Sequence, residues 1–157
     1  MFLLLLGLGS LMVVLAILIH YEALRLAASY LLQRISVVPR RAHVSLGVLV
    51  CMAAHSIEVW AFALFYWLVA RSGIDVGFVD QESRSFLDFL YFSAESYTSL
   101  GYGDVRMMTS DLRLLAGIEA LTGLVLITWS ASFTYFLMGQ YWQERRKTHD
   151  KRDTDEN

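Results

Sequence analysis

Three stretches of this chain are apolar for so long that lipid, rather than water, has to be their solvent. Residues 2–19 form a run of 18 without a charge, 44–70 hold only His55 and Glu58 as histidine or charged residues, and 112–138 hold only Arg113 and Glu119. At about 1.5 Å per residue, each run is long enough to cross a hydrocarbon core of about 30 Å. Inside that core every backbone N–H and C=O needs a partner within the protein, so a spanning segment is a helix or part of a closed barrel. Runs of this length predict helices. The sequence therefore reads as an all-α membrane protein with three transmembrane helices. A hydrophobic content of 56% and a single proline fit that class and exclude an ordinary soluble domain. The lone Cys51 provides no disulfide framework.

The segments between the runs differ in chemistry. Residues 1–19 are expected to form an N-terminal spanning helix, because no basic stretch precedes Phe2 and no small-x-small cleavage signal follows Ile19. Residues 20–43 place Leu24, Ala28, Leu31, Leu32 and Ile35 at helical spacing with Glu22, Arg25, Gln33 and Arg34 elsewhere, which predicts an amphipathic helix in the cytoplasmic interface, ended by Pro39. Residues 44–138 contain an outer helix over 44–70, a short apolar helix over 86–97 that cannot cross, a glycine loop over 98–104 and an inner helix over 112–138. Residues 139–157 are a charged cytoplasmic tail without apolar periodicity, expected to be disordered.

The loop Thr98-Ser99-Leu100-Gly101-Tyr102-Gly103-Asp104 carries the functional signal. A cation that loses its water must be met by stacked rings of backbone carbonyls. Aiming consecutive carbonyls the same way needs backbone freedom, which Gly101 and Gly103 supply by lacking a Cβ. In a soluble protein, Gly-Tyr-Gly would be an ordinary turn; here it follows a short helix between two spans. Non-helical backbone at membrane depth is tolerated only where protein buries it or where it lines a water-filled path.

Residues 98–104 resemble the filter signature of the tetrameric potassium channel family, of the type with a two-helix pore module, here preceded by one extra N-terminal helix. Where that family has Thr-Val-Gly-Tyr-Gly, this chain has Ser99-Leu100-Gly101-Tyr102-Gly103, which keeps the hydroxyl and both glycines. The resemblance, covering roughly 44–138, implies a homotetramer in which each chain supplies a quarter of the filter. It implies K+ held by oxygens of Ser99, Leu100, Gly101 and Tyr102, with Thr98 and Gly103 completing the ion-binding stretch. It further implies that Glu95, nine residues before Asp104, shares a proton with that aspartate behind the filter, and that Gly123, twenty residues after Gly103, is a hinge of the inner helix.

No covalent chemistry, resident cofactor or nucleic-acid partner is expected; the partners are sibling chains, membrane lipids and K+. Arg25, Arg34, Arg40 and Arg41 in the first connection and five Lys or Arg in the tail place both on the cytoplasmic side of the cell membrane, with the N-terminus outside. The acidic 71–111 stretch is then an outer vestibule that concentrates cations. No helix carries Arg or Lys at every third position, so a voltage sensor of the usual kind is not expected. Cys51, His55 and Glu58 fall at i, i+4 and i+7 on one face of the second span, a spacing that suits proton sensing by His55 and Glu58 or a metal site. Two other readings stay open: a non-selective monovalent cation channel, and a metal- or proton-handling membrane protein built on those three residues.

Overall fold

The computed structural model describes residues 2–33, 40–72, 78–79 and 85–155. These form four helices: α1 Phe2–Gln33, α2 Arg40–Arg71, α3 Phe86–Tyr97 and α4 Ser110–Asp155. Three of them contain stretches long and apolar enough to cross a membrane, Phe2–Tyr30, Ala42–Arg71 and Ser110–Gln140. The protein is all-α, and among the described residues the only extended pairing is an isolated bridge between Phe78 and Met107.

Helix α3 is the one that cannot span, since its 12 residues reach only about 18 Å. Its start is set locally by a capping box, in which the Ser85 hydroxyl accepts from the Asp88 amide and the Asp88 carboxylate accepts from the Ser85 amide at 2.8 Å. It is wedged between α2 and α4, while α1 packs along α2 and α4. The core that seats it is aromatic: Phe78 and Phe89 lie 5.0 Å apart between ring centroids, and Tyr66 meets Phe92 edge-on at 5.5 Å. Met107 and Leu112, both buried, close this core from the α4 side. The Val79 amide donates to the Arg106 carbonyl at 2.9 Å, tying the chain after α2 to the chain before α4.

Two expectations are corrected. Residues 20–33 do not form a separate interfacial helix: α1 continues through them without a break, and its apolar stretch reaches Tyr30. Among the described side chains, the charged groups of this stretch have partners of their own. Glu22 and Arg25 pair with each other at 2.6 Å on the exposed face, while His20, Leu24 and Ala27 turn inward. The expected stop at Pro39 lies outside the described residues. In the tail, α4 runs on to Asp155 instead of dissolving after residue 138, as the helix-forming Gln, Glu, Arg and Lys residues there permit.

Candidate ion-conducting site

The loop that follows α3 is built by an alternation of backbone handedness. Ser99, Gly101 and Gly103 have φ of 57°, 55° and 80°, whereas among the described residues no other position has positive φ. Alternating left- and right-handed residues swing successive peptide planes the same way, so neighbouring carbonyls or amides converge on one side. Gly101 and Gly103 take this conformation without cost, while at Ser99 an L side chain is held in it by its setting. The start of the loop is pinned to the end of α3: the amides of Thr98, Ser99 and Leu100 donate to the carbonyls of Ala94, Ser96 and Glu95 at 3.2, 3.0 and 3.1 Å, and the Thr98 hydroxyl donates to Ala94 at 2.6 Å.

Two carboxylates steady the loop, with partners that differ from the expected pair. Among the described residues no hydrogen bond joins Glu95 to Asp104. The buried Glu95 carboxylate instead accepts the Tyr102 amide at 2.7 Å, and Asp104 accepts the Tyr91 hydroxyl at 3.1 Å. The reason lies in the backbone: the positive φ values on either side of Tyr102 bring its amide back toward α3, and a carboxylate satisfied by a main-chain donor has no need of a second acid. Glu95 and Asp104 therefore each tie one part of the loop to one turn of the same short helix.

The opposite side of the loop is bare. Thr98 through Asp104 are all exposed in the single chain, with Leu100 at 61% and Tyr102 at 70%. Behind it, Tyr97 is buried and fixed at both ends. Its hydroxyl donates to Glu58 on α2, and its carbonyl abuts Gly123 on α4 so closely that a Cβ there would overlap the oxygen and stand 2.9 Å from the carbonyl carbon. Helix α4 passes through Gly123 without interruption. Gly123, expected as a hinge, is thus first of all the place where two backbones meet.

A second carboxylate anchors the middle of α3. Glu119, fully buried on α4, accepts the Tyr66 hydroxyl at 2.8 Å and lies 2.5 Å from the Ser93 hydroxyl, which also reaches the Val59 carbonyl at 2.9 Å. Ser93 and Tyr97 stand one turn apart on α3, so one face of the short helix is held by buried acids from both neighbours, Glu119 and Glu58. His55 and Glu58 do meet, at 3.2 Å, but the third member of their group is His20 of α1, whose Nδ1 lies 3.0 Å from Glu58. Cys51 is buried and free, and is not among the grouped donor atoms. His20 was invisible to helical spacing because it is remote in sequence; its only signal was a lone histidine directly after an uncharged run.

A short helix wedged between two helices long enough to span, followed by an exposed glycine loop with positive φ at alternate residues, defines the class: a membrane pore-loop protein. A family model described as an ion channel matches residues 52–138, and the chain belongs to that ion channel family, the family of the two-helix potassium channel pore module. No curated protein and no solved structure matches the chain. The matched segment begins within α2 and ends within α4, so α1 lies outside it.

Proposed function

We propose that the protein is a subunit of a potassium-selective channel, in which four copies surround a central pathway and each contributes Ser99, Leu100, Gly101 and Tyr102 oxygens to the filter. The observation that carries this reading is the alternation of positive φ at Ser99, Gly101 and Gly103, the backbone pattern that stacked carbonyl rings require. The exposure of the same loop supports assembly, since bare non-helical backbone at membrane depth has to be covered by protein or line water. Tyr102 then packs against a neighbouring chain, and Glu95 holds its amide from behind. The C-terminal end of α3 directs its partial negative charge toward the base of the filter, which favours a cation there. Conduction needs no covalent step: ions displace one another between adjacent sites. Basic residues in the first connection and the tail support an orientation with the N-terminus outside and the C-terminus in the cytoplasm of a multi-pass cell-membrane protein.

The experiment is flux from liposomes containing only this protein, with native mass measured on the same sample. Potassium and rubidium should pass while sodium is largely excluded, and the mass should be that of four chains. Equal sodium and potassium permeability would replace this proposal with a non-selective cation channel. A monomer without flux would leave the glycine loop as a structural turn.

A further inference from the structure

The group at His20, His55 and Glu58 is more ordered than the channel reading requires. His20 and Glu58 are fully buried, and His55 keeps 16% of its side chain exposed. One donor atom from each of the three lies within 4.8 Å of the other two. The two imidazoles are placed alike. Each turns Nδ1 toward the Glu58 carboxylate, at 3.0 Å for His20 and 3.2 Å for His55, and each turns Nε2 toward the same Ser130 hydroxyl, at 3.2 and 3.0 Å. The Tyr97 hydroxyl completes the set, 2.8 Å from the Nδ1 of His55 and in contact with Glu58.

Hydrogen counting shows what a bound ion would change. If neutral imidazoles donate from Nδ1 to an ionised Glu58, both Nε2 atoms are acceptors, and Ser130 has a single hydrogen with which to meet two of them. One ring nitrogen then faces an oxygen lone pair in a buried place, an arrangement that costs as much as any unmet buried polar group. A positive centre on the Nδ1 side removes the conflict. With an ion bound there, both rings carry their hydrogen on Nε2, and the two lone pairs of Ser130 accept both. That is the outer-shell pattern of metal-bound histidines, whose second N–H is usually taken up by an oxygen that fixes the ring.

We propose that His20, His55 and Glu58 form a binding site for a divalent transition metal of the zinc class, with the Tyr97 hydroxyl oxygen beside the fourth position and Ser130 orienting both imidazoles. Zinc bonds of about 2.0–2.2 Å to nitrogen and oxygen in a tetrahedral arrangement put neighbouring donor atoms roughly 3.3 Å apart, close to the 3.0 and 3.2 Å that separate the Nδ1 atoms of His20 and His55 from the two Glu58 oxygens. A proton on one imidazole or on Glu58 also settles the count with the same heavy atoms, so metal content is the measurement that separates ion from proton. The site joins α1 to α2 and touches Tyr97, the last residue of α3. A bound ion would therefore fasten the N-terminal helix, which lies outside the matched channel segment, to the root of the filter loop. This site stands independently of potassium selectivity, and its test does not involve flux.

The test is metal binding to the purified full chain in detergent at neutral pH, with Zn2+ content measured after gel filtration and Co2+ used as a spectroscopic probe. One ion per chain is expected, with a Co2+ ligand-field spectrum typical of nitrogen and oxygen donors. His20→Ala and Glu58→Ala should abolish stoichiometric binding, and Ser130→Ala, which keeps every ligand, should weaken it roughly tenfold or more. Cys51→Ala should leave both affinity and spectrum unchanged. Binding well below one equivalent in the parent chain overturns the proposal, and so does full binding by His20→Ala or a thiolate charge-transfer band that disappears with Cys51. If the ligand variants fail to assemble, Ser130→Ala decides, and an unchanged affinity there counts against the site.

Discussion

Gly123→Ala separates two roles that a glycine in an inner helix can have, because they predict opposite signs. If Gly123 serves as a flexible point, alanine should stabilise α4, since glycine in a helix interior is about 0.5–1 kcal/mol worse than alanine. The structure argues for the other sign. A Cβ at 123 would overlap the Tyr97 carbonyl oxygen and stand 2.9 Å from the carbonyl carbon and 3.1 Å from the ring Cδ1. Carbon atoms pack at about 3.5–4.0 Å, so the two backbones must separate by more than about half an ångström. Tyr97 has little freedom to yield, because its hydroxyl is bound to Glu58 and the filter loop begins at the next residue. Overpacking of this kind costs roughly 1–3 kcal/mol. Gly117, on the same helix, provides the control: nothing lies within 4 Å of a Cβ built there. Thermal unfolding in detergent should therefore show Gly123→Ala destabilised and Gly117→Ala unchanged or slightly stabilised, with potassium flux from liposomes reduced only in the former. A Gly123→Ala protein as stable as the Gly117→Ala protein would refute the packing argument and return the residue to a hinge.

The remaining predictions concern the loop and its anchors. Gly103→Ala should abolish flux while leaving the assembly intact, since an L residue at φ 80° costs roughly 1–2 kcal/mol of backbone strain; gel filtration and flux on one preparation test this, and normal flux would count against the filter. Glu95→Ala removes the acceptor of the Tyr102 amide, a charge-assisted bond worth about 1.5–3 kcal/mol, and should change open-filter lifetimes in single-channel records about tenfold, whereas Glu95→Gln keeps an acceptor and should change them less. Equal lifetimes in all three would show that the bond has no bearing on gating. Glu119→Leu strands the buried hydroxyl of Tyr66 and should lower stability by about 1–3 kcal/mol, while Glu119→Leu combined with Tyr66→Phe should recover part of it; a double variant no better than the single one would rule out this account.

How much of this could be read beforehand depended on whether the information was local. The short helix is legible from the apolar pattern of 86–97 and the glycine loop that follows, and α3 occupies Phe86–Tyr97 because its ends are set by neighbours in sequence, the Ser85–Asp88 cap and the loop itself. The same local reasoning failed at 20–33, where isolated charges suggested a surface helix. Whether a polar group leaves the membrane or finds a partner inside it depends on what lies opposite: His20 found Glu58 on α2, while Arg25 and Glu22 stay on the exposed face and pair along their own helix. It failed again at Glu95, since its partner is a main-chain amide that comes within reach only after Gly101 and Gly103 have turned the loop.

The sequence by itself determined the solvent, the spanning runs and the glycine loop, because apolar length and the missing Cβ of glycine act wherever the chain goes. Only the tertiary structure decided which buried polar groups meet. Glu58 is satisfied by His20 from 38 residues away and by Tyr97 from 39 residues away, and Glu119 by Tyr66 from 53 residues away. In lipid a polar side chain has no water to fall back on, so its partner is whatever helix packing places within about 3 Å, and that packing is a property of all four helices together.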